Sequence, residues 1–116
     1  MKRTPFIVAE IGGNHRGYLE NATNLITAAA RAGADAVKFQ CFEPQQMAEP
    51  GVIIESGPWA GHELLDLYHQ THTPREWFYP LFVAARTAGI LAFSSAFLRD
   101  HVDFLETLNC PILKIA

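Results

Sequence analysis

The sequence predicts an α/β fold built on a parallel sheet, and three observations carry that expectation. Short β-prone runs alternate with amphipathic helical runs in the order β-α-β-α-β-α-β. Two helical runs end alike, Ala29-Ala30-Arg31 before Gly33 and Ala84-Ala85-Arg86 before Gly89, and each is followed at once by a strand. Polar residues recur in the strand runs, near the C-terminal ends where parallel α/β sheets gather their sites. A small doubly wound sheet and half of a (β/α)8 barrel both satisfy this order. A complete barrel takes about 250 residues; the chain has 116.

Taken in order, Phe6 to Ile11 is a compact apolar strand, and Gly12-Gly13-Asn14-His15-Arg16-Gly17 is a loop of turn formers. Leu19 to Ala32 places Leu19, Ala22, Leu25, Ile26 and Ala29 on one helical face, and Gly33 stops it. Ala34 to Gln40 reads as a strand buried on both faces, a βαβ unit with the first. Cys41 to Gly61 carries Pro44, Pro50, Gly51, Gly57 and Pro58, and loops this long within a compact domain are usually functional. His62 to Gln70 is a short helix. Thr73-Pro74-Arg75-Glu76 predicts a helix start, with Thr73 as N-cap, Pro74 at the first position and Glu76 closing a capping box. That helix runs to Ala88. Ile90 to Ser95 is the third strand, Arg99 to Leu108 a helix with Val102, Leu105 and Leu108 inward, and Pro111 to Ala116 the fourth strand.

Composition narrows the function classes. Hydrophobic residues make up 49% and charged residues 18%, which describes a single globular domain over 1–116 rather than a disordered segment. A net charge of −3 leaves no basic surplus for a phosphate backbone, so nucleic acid is not expected as a partner. No apolar run approaches the ~20 residues of a membrane span. Met1-Lys2-Arg3-Thr4-Pro5 is basic, but Glu10 interrupts the apolar run behind it, which speaks against a signal peptide and for a cytoplasmic protein. Cys41 and Cys110, expected at opposite ends of the sheet, read as reduced, unpaired thiols.

Lys38 and Gln40 carry the chemistry. They are two residues apart, so both side chains leave the same face of their strand. A lysine in a buried strand is costly unless an anion or a carboxylate meets it. Lys38 is therefore read as awaiting a negatively charged ligand. Glu10, Ser94, Ser95 and Lys114 stand at matching depth in the other strands, a set that suits an anionic substrate held by charge-assisted hydrogen bonds. The competing reading is a structural Glu10–Lys38 ion pair. The glycines of the first loop form neither a P-loop nor G-x-G-x-x-G and read as a tight turn. His15 reads as a loop hydrogen-bonder. His69 and His72 have a spacing that can bind metal on a helix, but next to a helix start they read as an exposed junction. His62 and His101 carry no signal. Trp77, Phe78 and Phe82 read as core, whereas Trp59 lies in the proline-glycine loop.

The motifs Ala9-Glu10-Ile11-Gly12, Asn14-His15 and Gly17, then Ala32 through Gln40, Phe93-Ser94-Ser95 and Lys114-Ile115-Ala116 resemble the N-acetylneuraminate (sialic acid) synthase family. Gly57-Pro58-Trp59 to Tyr68 and Thr73-Pro74 with Glu76-Trp77 are more similar to its pseudaminic acid synthase branch. The resemblance implies a partial (β/α)8 TIM barrel with about four strands and three main helices. It implies condensation of phosphoenolpyruvate with an N-acetylated amino sugar, C3 of the enol joining the sugar aldehyde and phosphate leaving by C–O cleavage. It implies a divalent metal, Mn²⁺ or Mg²⁺, in full-length members. By position, Lys38, Ser95 and Lys114 hold phosphoenolpyruvate, Glu10 faces the reacting centre, and Gln40 contacts the sugar. Asn14 and Trp59 are further substrate-binding candidates.

Two departures qualify the resemblance. Ala96 stands where the family has proline after the strand-three hydroxyl. The family also continues past Lys114-Ile115-Ala116 through four more strands, which bear two metal-binding histidines, and into an antifreeze-like domain. None of the histidines here matches those ligands. The expectation is thus an N-terminal half barrel, inactive alone, that forms homo-oligomers or needs the other half. The alternative is a non-catalytic phosphometabolite-binding or vestigial α/β module.

Overall fold

The computed structural model describes residues 4–116, and the basic Met1–Arg3 start lies outside them. Strands Val8–Glu10 (β1), Ala36–Cys41 (β2), Leu91–Ala96 (β3) and Leu113–Ile115 (β4) form one sheet in the order β1-β2-β3-β4. Every neighbouring pair is parallel. Helices Leu19–Arg31 (α1), Leu64–Thr71 (α2), Arg75–Ala88 (α3) and Arg99–Thr107 (α4) connect them, with a 3₁₀ turn at Pro44–Gln46. A parallel sheet in strictly sequential order needs a crossover after each strand, and crossovers of one hand leave their helices on one face. A doubly wound sheet reverses its order and is covered on both faces. This sheet winds as a barrel does.

Side-chain alternation shows which face is covered. Ile11, Val37, Phe39, Cys41, Ala92 and Ala96 point toward the helices and join Ala22, Ile26, Phe78, Leu81 and Leu105 in one core. Phe39, Phe78 and Leu81 are fully buried, each worth about 1.5–3 kcal/mol relative to exposure. Phe39 meets Phe78 edge-on at 6.1 Å between ring centroids, and Phe78 meets Phe104 the same way at 5.7 Å. α1 presents the predicted stripe, with Ala22 and Ile26 fully buried. It gives way at Gly33 (φ 89°), as α3 does at Gly89 (φ 81°), because only glycine adopts that left-handed turn without steric cost.

The opposite face is open, which corrects the expectation that β2 is buried on both sides. Val8, Leu91 and Ile112 on that face are 37%, 44% and 38% exposed, although Ala36 and Phe93 are shielded by their neighbours. The predicted capping box at Thr73 is also corrected. Pro74 takes the cap position, α3 begins at Arg75, and no side chain caps the helix. The Thr73 hydroxyl has another partner, His15, 58 residues away.

Candidate functional site

Strand register brings the sheet's polar residues together. Glu10 pairs with Lys38, Gln40 with Ser95, and Ser95 with Lys114. Partners in register share a face, and residues two apart in a strand share it as well. Glu10, Lys38, Gln40, Ser95 and Lys114 therefore all project from the open face, on two successive rungs at the C-terminal end of the sheet. Ser94 does not join them. It projects toward the helices, fully buried, and its hydroxyl lies 3.1 Å from the Phe39 carbonyl and 2.9 Å from its neighbour's carbonyl.

Lys38 Nζ lies 2.7 Å from Glu10 Oε2, and the two side chains are 20% and 43% exposed. The carboxylate thus answers the lysine internally, as the ion-pair reading has it, but water reaches both groups. A pair of this kind contributes only about 0–1 kcal/mol, so an incoming anion can take the ammonium at small cost. Lys114 is exposed and forms no salt bridge among the described residues. Ser95, 3% exposed, stands between Gln40 and Lys114. The strip carries two ammonium groups against one carboxylate, with a hydroxyl and an amide beside them.

Asn14 and Trp59 lie elsewhere. They line a cavity of about 800 Å³ between the loop after β1 and the end of α2, together with Arg16, Tyr18, His69 and Gln70, and none of the five strip residues lines it. His15 holds the floor of that loop. Its ring is fully buried, Nδ1 accepts from the Gly17 amide at 3.0 Å, and Nε2 therefore carries the proton and donates to Thr73 Oγ1 at 3.1 Å. Trp77 packs edge-on against the ring. Burial holds the His15 imidazole below its ordinary pKa, with His72 adding to the effect.

His101, which showed nothing in the sequence, is fully buried at the start of α4. Its Nδ1 accepts from the Phe97 and Leu98 amides, both at 3.1 Å, and Nε2 donates to Gln46 Oε1 at 2.7 Å. Desolvation lowers its pKa against the opposing pull of Asp100. Arg75 completes the clasp, reaching Glu43 at 3.1 Å and Asp100 at 2.8 Å while its guanidinium covers Phe104. These contacts tie the loops after β2 and β3 together and hold the chain that follows Ser95. The available signal was His101 itself, three residues past the helix-start position Leu98, where a side chain can reach back to the free amides.

Among the described residues, no group of three or more histidine, cysteine or acidic side chains is placed to hold a metal ion. His69 and His72 come within 6.3 Å, ring to ring, with no third ligand. Cys41 and Cys110 are free thiols, and burial pushes Cys41 up to about 11. No described helix is long and apolar enough to cross a membrane.

The sequence model of the NeuB family matches residues 25–116. The chain is 41% identical over 115 residues to the pseudaminic acid synthase of Campylobacter jejuni, covering 96% of this chain and 34% of that protein. It is 39% identical over 120 residues to the pseudaminic acid synthase of Helicobacter pylori, covering 100% and 35%. The solved N-acetylneuraminic acid (sialic acid) synthetase of Leptospira borgpetersenii, in complex with citrate, superposes with a TM-score of 0.81 at 29% identity, over 97% of this chain and 36% of that one. The chain thus spans about a third of the length of the relatives it matches. With a family match over most of its length and a sheet wound in the same order as its strands, the chain belongs to the NeuB family.

Proposed function

We propose that this chain supplies one wall of the active site of a synthase that condenses phosphoenolpyruvate with an N-acetylated amino sugar. The observation that carries the reading is the co-facial strip of Glu10, Lys38, Gln40, Ser95 and Lys114. Phosphoenolpyruvate bears a carboxylate and a phosphate, and the strip offers two ammonium groups and a hydroxyl to match them. The Leptospira relative is described in complex with citrate, itself a multiply charged anion.

In this reading, Lys38 and Lys114 hold the two anionic ends, and Ser95 donates to the phosphate. When Lys38 turns to its ligand, the Glu10 carboxylate is left facing the reacting carbon. Gln40, one rung further along, takes a sugar hydroxyl or acetamido group. The reaction forms a bond between C3 of the enol and the sugar aldehyde carbon. Water adds at C2, the C2–O bond to phosphate breaks, and a 2-keto acid sugar and inorganic phosphate leave. Among the described residues, no cluster of side chains is placed to hold a metal ion. These residues by themselves bind phosphoenolpyruvate without turning it over, because only one side of the reacting centre is lined.

Calorimetry tests the binding step. Phosphoenolpyruvate should bind the purified chain, and Lys38→Ala and Lys114→Ala should each weaken it by about tenfold. Unchanged affinity in both variants overturns the reading. Phosphate release above background, from the chain with phosphoenolpyruvate, N-acetylmannosamine and Mn²⁺, overturns the claim that this wall alone is inactive.

A further inference from the structure

We propose that His101 is a positioning residue for the strip: its neutral imidazole clamps the turn that leaves Ser95, and protonation of that imidazole loosens the hold of Ser95 and Lys114 on an anionic ligand. The role builds on the strip's proposed part in binding an anion. α4 starts without an ordinary cap, because Leu98 at the cap position has no side-chain acceptor. His101, fully buried, takes over from the third helical position, where a capping box places glutamate or glutamine. Its Nδ1 accepts the Phe97 and Leu98 amides, each at 3.1 Å. Imidazole does the work of glutamine here, with one difference: it titrates close to neutral pH.

This cap holds the end of β3. Phe97 and Leu98 follow Ser95 and Ala96 directly. The Ala96 carbonyl accepts the Ala116 amide at 3.0 Å, and Ser95 pairs in register with Lys114. Ser95 and Lys114 thus depend on one turn. On its other side the ring reaches the segment that follows Gln40. Nε2 donates to Gln46 Oε1 at 2.7 Å, and Phe97 packs edge-on against Phe42 at 5.8 Å. A neutral ring serves both sides, whereas an imidazolium has two donors and cannot accept the amides. Its charge would also stand at the positive end of the α4 dipole. The charged groups that bear on the ring are Asp100 on the same helix, Arg75 on α3 and Glu43 in the loop after β2. Burial, the largest influence, opposes the proton together with Arg75, while Asp100 and Glu43 favour it; the pKa falls below the ordinary 6.5. The turn is therefore clamped at neutral pH and released in acid.

Two measurements test this, one of them without ligand. In NMR of the isotope-labelled chain, the Ser95 and Lys114 amide signals should shift with the midpoint of the His101 ring between about pH 7.5 and pH 5. They should stay in place in His101→Gln, which keeps an acceptor at the third helical position and does not titrate. In calorimetry, phosphoenolpyruvate should bind the two proteins alike at neutral pH. The ratio of their affinities should then fall about fivefold or more in acid, against the unsubstituted chain. The ligand's phosphate also takes up a proton in this range, but that change, like the titration of His15, is common to both proteins and leaves the ratio untouched. A constant ratio, strip signals that ignore the His101 midpoint, or equal titration of those signals in His101→Gln would overturn the proposal. If phosphoenolpyruvate binds neither protein at any pH, the reading of the strip fails, and the amide signals alone decide whether His101 positions Ser95 and Lys114.

Discussion

Lys38 Nζ lies 2.7 Å from Glu10 Oε2 across the β1–β2 pair, and solvent still reaches both side chains. The geometry makes the lysine a held but accessible cation. Glu10→Gln removes the competing carboxylate and leaves a neutral hydrogen-bonding amide. Because an exposed pair is worth at most about 1 kcal/mol, thermal unfolding should change little, while phosphoenolpyruvate affinity measured by calorimetry should rise severalfold. A large loss of stability would mean that the pair is structural after all.

Thr73 accepts the proton that His15 keeps on Nε2, and both groups are buried. Thr73→Val leaves that N–H without a partner, at a cost of about 1–3 kcal/mol. Thr73→Ser, which restores an acceptor, should recover most of the loss. Urea unfolding of the three proteins reads the difference directly.

The same contacts predict acid sensitivity. Burial lowers the pKa of His15 and of His101 below the ordinary 6.5. His72 bears on His15 in the same direction; Asp100 and Glu43 raise His101 against Arg75 and burial. In the window between each native value and 6.5, the unfolded chain binds a proton that the folded chain refuses, so stability is whole above that window and falls as pH drops through it. Protonated Nδ1 no longer accepts the Gly17 amide, nor the Phe97 and Leu98 amides. Urea midpoints should therefore fall between about pH 7.5 and pH 5, with a shallower slope in His101→Asn.

Gly13 packs so closely on the last turn of α2 that an added Cβ would stand 2.7 Å from Thr71 Cβ and 3.2 Å from its carbonyl oxygen. Neither neighbour is the end of a flexible side chain. Gly13→Ala should cost about 1–3 kcal/mol, or roughly 4–15 °C in melting temperature for a domain of this size. Trimming the partner in the double variant Gly13→Ala with Thr71→Gly should restore part of it.

The open face of the sheet predicts association. Val8, Leu91 and Ile112 remain substantially exposed there, and β1 and β4 are edge strands. Light scattering of the 116-residue chain should report dimers or larger species at micromolar concentration, and Leu91→Lys should shift them toward monomer. A stable monomer of the unsubstituted chain would count against this.

The amino-acid sequence by itself determined the β/α alternation, the glycine stops and the shared direction of Lys38 and Gln40, because each follows from a local period of 2 or 3.6 residues. It did not determine which polar residues share a wall. Ser94 and Ser95 are neighbours in sequence, yet strand register turns one to the helices and the other to the strip. A single-residue shift exchanges the two faces of a strand, and nothing local to the strand specifies its pairing. Tertiary packing likewise decided that Thr73 serves His15, 58 positions away, rather than its own helix, and that His101 meets Gln46 across 55. For Lys38 it decided the partner as well. The sequence required an anion or a carboxylate beside that lysine, and the register of β1 with β2 supplied Glu10.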